Sequence, residues 1–483
     1  MRRPLPHRFA AFLLALLLAP PLGLAEGLPD LGEAAQADLP PALEQRIGQA
    51  ILNEYRSEPE FVDDAEVVGY LNRLGHRLAE KSNDVRQPFE FFVIRDKTLN
   101  AFAMPGGYIG VHTALILAAQ TESELAGVLA HEISHVTQRH LARMFNKQNQ
   151  STVPTLIAMA VAVLAARNNS SVGMGGVMAA QAAGIQSQLN YTRDFEREAD
   201  RVGFDLLDRS GFDVHGMESF FERLQKFGRL YENNAPGYLR THPLTTERIA
   251  DMANRAQGKP YRQVREPIEF LLVRAKLKAF EGSPRDAVAD FGAQLKEKKY
   301  ANEAASHFGM AYAQMRAGNL PAVTQELAEL RRLKVQSSMV DLLSALLAQK
   351  LGDFNGAENQ LRMALFHNPQ ERALSYALAD VLLSARKPDV ALKHIFNDMQ
   401  LWPGDAQLYL LQAQCYAAQG KLLLQHRSQA DAYAMRGQLP QAIEQLQLAQ
   451  KSPDGDFFEY SQVEALLREL KQKRADEAKE KLP

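Results

Sequence analysis

The chain has 483 residues, enough to bury a large core and to form two or more domains. Its net charge is −2 and 23% of its residues are charged, a balance that fits neither a nucleic-acid-binding protein nor a disordered chain. Cys415 is the only cysteine, which excludes a disulfide framework and a thiolate zinc site within one chain, so a metal would have to be held by His, Asp and Glu.

The first residues read as an export signal. Arg2, Arg3 and Arg8 flank a short apolar run over residues 9–18, broken by Pro20, Pro21 and Gly23 before the small-x-small site Gly23-Leu24-Ala25. The run is too short to span a bilayer comfortably, which predicts a cleavable signal peptide over residues 1–25 and a periplasmic or secreted product. Residues 26–42, rich in Pro, Ala, Gly and acids, read as an N-terminal extension.

Residues 43–81 carry helical periodicity through Ile47, Ile51 and Tyr55, then Val67, Leu71, Leu74 and Leu78. Phe89-Glu90-Phe91-Phe92-Val93-Ile94 reads as a strand. After Asn100-Ala101-Phe102-Ala103, the stretch Gly106-Gly107-Tyr108-Ile109-Gly110-Val111 reads as an edge strand whose backbone can pair with another chain. In a protease, Gly107, Tyr108, Ile109, Gly110 and Val111 would then align an extended peptide; an ordinary hairpin is the equal alternative.

Thr121-Glu122-Ser123-Glu124 is a capping box, and Leu125, Val128, Leu129, Ile133 and Val136 continue a core-facing stripe through about Met144. His131-Glu132-Ile133-Ser134-His135 lies in the interior of that helix. Histidines four residues apart emerge on nearly one face, where both can bind one Zn²⁺. Glu132, directly after the first, is placed to take a proton from a metal-bound water. Residues 152–183 are apolar and rich in Ala, Met and Gly; buried helices are the favoured reading, and a membrane-contacting segment or mobile lid the alternative. Residues 190–207 read as a helix stopped near Ser210-Gly211. On it, Glu196 and Asp200 share a face. Glu196 can complete a His₂Glu site, and Asp200, one turn on, can accept the free N–H of a ligating imidazole. Glu198 points elsewhere.

HEISH together with Thr192-Arg193-Asp194-Phe195-Glu196-Arg197-Glu198-Ala199-Asp200 resembles the HtpX and CAAX-prenyl-protease family of zinc metalloproteases. The resemblance extends through Asn100-Ala101-Phe102-Ala103, the Gly-Gly strand, Ser134-His135-Val136-Thr137-Gln138-Arg139-His140, Arg240-Thr241-His242-Pro243 and Glu247-Arg248-Ile249. It implies a zincin-like α+β domain, placed at residues 43–260, with one Zn²⁺ per chain on His131, His135 and Glu196. The transmembrane helices of the family's membrane members are not found, so the chain looks like its periplasmic, repeat-bearing members. That likeness implies misassembled outer-membrane proteins as substrates and the β-barrel assembly machinery as partner. A metzincin is excluded, since its pattern needs Gly at Gln138 and His at Leu141. His242 sits on a loop, since Pro243 turns it away from helix. It has three readings: an oxyanion donor, a fourth ligand that keeps the enzyme latent, or part of a loop leading into Thr246-Glu247-Arg248.

Past Pro260 the composition shifts to Ala, Leu and Gln. Ala357, Leu361, Ala364 and Pro369 are echoed by Ala391, Ile395 and Pro403 at the tetratricopeptide period, which predicts a repeat solenoid over residues 261–483. Tyr416 and Gly420 recur as Tyr433 and Gly437, marking an additional helix before Ala442, Leu446 and Ala449. Trp402 reads as packing, and the charged tail from Lys471 as frayed. The expected protein is mainly α: an exported zinc endopeptidase, possessing a small sheet, fused to an α-solenoid that recruits protein clients. A chaperone or adaptor with latent proteolysis or structural zinc is one rival; a peripheral membrane protein held through residues 152–183 is the other.

Overall fold

The computed structural model describes residues 39–82, 88–146, 193–230, 238–239 and 242–480. The export signal, most of the extension and residues 152–183 lie outside them. Two helices come first, α1 (Pro41–Ser57) and α2 (Ala65–Ala79), the second capped by Asp64, whose carboxylate accepts from the Glu66 and Val67 amides. The sheet is built from β1 (Glu90–Ile94), β2 (Ala101–Ala103) and β3 (Tyr108–His112) in the order β1-β3-β2.

This order corrects the expected edge strand. β3 pairs parallel with β1, Phe91 opposite Ile109, and antiparallel with β2, Phe102 opposite Gly110. Ile109, Gly110 and Val111 are therefore central, buried and paired on both sides, Tyr108 is buried and paired with Glu90 of β1, and Gly107 lies in the 3₁₀ turn before them. The cause is the short Ala-Phe-Ala strand. Phe92 and Phe102 fill the space above Gly110, where a Cβ would come within 2.5 Å of the Phe102 ring, so only glycine lets β2 close on β3. The edge passes to β2, whose outer side pairs with no strand among the described residues.

After a short α3 (Thr113–Ala118) comes α4 (Glu122–Thr137), which carries HEISH. Thr121 caps it by accepting from the Glu124 amide at 3.2 Å, but Glu124 reaches one residue further back than a capping box, to the Gln120 amide at 2.7 Å. The helix does not run on to Met144. It stops at Thr137, Arg139 takes a left-handed φ of 53°, and α5 (His140–Asn146) starts in a new direction. Arg139 is held there by donating to Leu39 O at 2.6 Å and Glu44 at 2.7 Å. Then follow α6 (Arg193–Arg209), ended by Gly211 at φ 83°, α7 (His215–Leu230) and α8 (Thr246–Gln257). No described helix is long and apolar enough to cross a membrane.

The remaining helices stack as antiparallel pairs: α9 (Ile268–Ala279), α10 (Pro284–Glu297), α11 (Glu303–Arg316), α12 (Leu320–Arg332), α13 (Ser338–Lys350), α14 (Phe354–His367), α15 (Arg372–Ser384), α16 (Pro388–Leu401), α17 (Ala406–Ala418), α18 (Leu422–Met435), α19 (Leu439–Ala449) and α20 (Phe457–Glu480). The starts of α12, α14, α16 and α18, at Leu320, Phe354, Pro388 and Leu422, keep the tetratricopeptide period without a slip. Ala357, Leu361, Ala364, Ala391 and Ile395 are all buried where neighbouring helices touch. The helix expected between Gly420 and Gly437 is α18, which falls on the regular period and so is not an addition to it, and the tail expected to fray continues as helix to Glu480. Trp402 packs against the solenoid core under the Arg372 guanidinium. One hydrophobic cluster runs from Val62 through Leu347, so the first repeat helices share the core of the sheet-bearing half. Lys276 of α9 pairs with Asp64 at 2.6 Å and with Glu66, to which Tyr312 also donates. The solenoid curls back on α2 and the loop before it through Arg73–Glu371 and Arg436–Asp63.

Candidate metal centre

α4 and α6 cross at the point where Gly203 replaces a side chain with backbone. A Cβ there would sit 3.1 Å from the His131 amide nitrogen and 3.2 Å from Ala130 O. That close approach lays the Glu196–Asp200 face of α6 over the histidine face of α4. Gly203 lies on the same face, two turns past Glu196, so its spacing was the sequence signal for the crossing.

His131, His135, Glu196 and His242 form a buried cluster whose ligand atoms lie within 4.8 Å of one another. His131 Nε2 is 3.0 Å from His135 Nε2 and 3.4 Å from His242 Nδ1. Glu196 Oε1 is 3.0 Å from His242 Nδ1 and 3.5 Å from His135 Nε2, and Glu196 Oε2 is 3.5 Å from His131 Nε2. Ligands at roughly 2.0–2.1 Å from a tetrahedral ion stand about 3.3–3.4 Å apart, and these separations of 3.0–3.5 Å are of the size that sharing one ion requires. The donor set of imidazoles and a carboxylate fits Zn²⁺.

Each ligand is held from behind. His131 Nδ1 faces Asp200 Oδ1 at 2.9 Å. Arg248 grips Asp200 with two hydrogen bonds of 2.6 and 2.7 Å, contacts Glu196 Oε2 at 2.7 Å and donates to Pro243 O at 2.8 Å. His242 stacks on Tyr238, with ring centroids 4.6 Å apart, and its amide donates to Tyr238 O. Burial disfavours a charged His131, but Asp200 and Glu196 prevail and hold its pKa up at about 9. Any bound metal must displace that proton. Burial, then the field of His131, push His135 well below the usual imidazole range. Burial opposes charge on Glu196 too, yet His242 and His131 outweigh it and keep its carboxyl well below the usual range.

Glu132 is fully buried beside the cluster, with Oε1 3.6 Å from His242 Nε2. Neither of its oxygens has a side-chain hydrogen-bond partner among the described residues. Burial raises its pKa, partly offset by His242 and His131, as suits a proton acceptor. The structure thus brings together His131, Glu132, His135, Glu196, Asp200 and His242. The stretch Gly107–Val111 stays inside the sheet, and β2 borders the site instead. Sequence reasoning gave no role to Arg248 or His140, both within quoted motifs, because their work depends on partners distant in the chain.

The pattern of peptidase family M48 matches residues 66–256. The beta-barrel assembly-enhancing protease of Escherichia coli (strain K12) is 31% identical over 455 residues, 93% of this chain and 92% of its own. A relative from Vibrio cholerae is 42% identical over 272 residues, where the match spans only 56% of either chain. The mitochondrial metalloendopeptidase OMA1 of Schizosaccharomyces pombe is 30% identical over 181 residues, 37% of this chain and 50% of its own. With that site, and with a relative matched along nearly its whole length, the chain belongs to peptidase family M48, a family of metallopeptidases.

Proposed function

We propose that the protein is a zinc-dependent endopeptidase of the periplasm that acts in the quality control and assembly of outer-membrane proteins. The observation that carries the chemistry is the buried cluster of His131, His135, Glu196 and His242 with Glu132 at its side. The biological role is supported by the name of the Escherichia coli relative and the periplasmic location by the signal-like stretch from Met1 to Ala25. The repeats would recruit unfolded protein clients and the β-barrel assembly machinery.

His131, His135 and Glu196 would hold Zn²⁺, which supplies a Lewis acid for a peptide carbonyl and acidifies water. Asp200, clamped by Arg248, fixes His131 in the tautomer whose Nε2 is a lone-pair donor. Glu132, raised by burial, takes the proton of the attacking water and returns it to the leaving amine. The outer edge of β2 aligns the substrate backbone in place of the stretch first expected to do so.

His242 favours a second reading beside the first. As a fourth ligand it would occupy the position that a catalytic site leaves to water, the arrangement of a resting enzyme. The protein would then act as a repeat-based chaperone or adaptor until a client displaces His242. The test is Glu132→Gln, assayed on an unfolded outer-membrane β-barrel. The peptidase reading expects cleavage to vanish while metal content holds. Full biological function in that variant would favour the chaperone instead.

A further inference from the structure

His135 and His131 have unlike outer partners. His131 Nδ1 meets a carboxylate directly, whereas His135 Nδ1 lies 2.9 Å from Nδ1 of a third imidazole, His140. On an unbroken helix, residues 135 and 140 would project about 140° apart. The left-handed turn at Arg139 folds His140 back onto His135. His140 is fully buried, stacks on Phe195 with centroids 4.6 Å apart at 11°, and presents Nε2 to Glu198 Oε2 at 3.2 Å. Arg143 steadies that carboxylate with a 2.9 Å hydrogen bond.

The tautomers follow from counting protons. The inference rests on His135 ligating through Nε2, as proposed above; its Nδ1 then carries hydrogen and must donate. The His140 atom it meets is Nδ1, so in this hydrogen bond that nitrogen is the bare acceptor and the hydrogen of His140 sits on Nε2. There it donates to Glu198. We infer that His140 is a positioning residue for the metal centre: it accepts the His135 Nδ1–H and links it to the Glu198 carboxylate, doing at one imidazole's remove what Asp200 does for His131. Glu198, which the sequence placed away from the metal, acquires a role through this link.

The test separates packing from hydrogen bonding. His140→Phe keeps a ring against Phe195 but cannot accept, while His140→Asn loses the ring yet retains an acceptor near the Nδ1 position. Affinity of the full chain for Zn²⁺ is measured by chelator competition, alongside thermal unfolding of the metal-free proteins. In the Co²⁺-loaded chain, the hyperfine-shifted N–H signals of the ligating imidazoles report solvent exchange. The relay predicts that His140→Phe weakens metal binding about 10–100-fold and accelerates exchange of one N–H signal, with His140→Asn binding more tightly than His140→Phe. Glu198→Gln, at a partly exposed position that leaves the core untouched, should weaken binding less than His140→Phe does. Wild-type affinity and slow exchange in His140→Phe would overturn the relay alone. A wild-type chain that takes up no ion would overturn the metal reading and the relay with it.

Discussion

Arg248→Met tests whether the rear of the metal centre is held as a unit. Methionine keeps much of the buried stem and removes the guanidinium. That group is 2% exposed, makes two hydrogen bonds to Asp200 and contacts Glu196 at 2.7 Å, while also tying down the His242 loop through Pro243 O. Hydrogen bonds to charged groups contribute about 1.5–3 kcal/mol each, but their sum overstates the loss because burying the guanidinium is itself unfavourable. The decisive quantity is the uncompensated charge: Asp200 and Glu196 would remain in a dry interior as two carboxylates sharing one cation, the protonated His131. Removing one partner of such a pair destabilises by about 3–5 kcal/mol, which is the loss expected in urea unfolding of the EDTA-treated full chain followed by circular dichroism. Bound zinc would compensate Glu196 and reduce the loss. Arg248→Lys should restore only part of it, since an ammonium cannot grip Asp200 with a planar fork. A loss below about 1 kcal/mol would mean that the clamp behaves like an exposed ion pair and would refute the reasoning.

His242→Ala should raise proteolysis if His242 is the fourth ligand, or abolish it if His242 stabilises the oxyanion; unchanged turnover dismisses both roles. In the solenoid, Gly318, Gly352, Arg386 and Gly420 occupy the same left-handed turn of successive repeats, with Arg386 at φ 58°. A side chain there is unfavourable by roughly 1–2 kcal/mol and glycine's extra entropy by roughly 0.5–1, so Arg386→Gly should stabilise the chain by roughly 0.5–1 kcal/mol in urea titrations. Burial lifts Asp431 to about 6 against a weaker opposing pull from Arg427. The native state therefore keeps this proton between about pH 4 and 6 while the unfolded chain releases it, so stability falls as pH rises through that window. Asp431→Asn should be near neutral at pH 4 and stabilise by about 2–3 kcal/mol above pH 7; an equal effect at both pH values would contradict the linkage.

The elements carrying local periodicity could be read directly from the chain. Four-residue spacing placed His131 with His135 and Glu196 with Asp200, and the tetratricopeptide period placed the solenoid helices. What escaped was set by contacts between distant segments. β2 is three residues of small and aromatic side chains, too short to announce itself, yet it converts β3 from edge to centre. His140 was hidden by the assumption that the HEISH helix runs straight, when the backbone of Arg139 breaks it in exchange for anchors at Leu39 and Glu44. Arg248 stood at the start of a helix, quoted within a motif but given no role; only the fold reveals that it points at Asp200.

The most direct measurement is zinc content together with peptide-bond cleavage for the purified wild-type chain and for Glu196→Ala. The account predicts a single equivalent of zinc and cleavage in the wild type, with both lost in the variant. A variant that keeps its metal and still cleaves would contradict it.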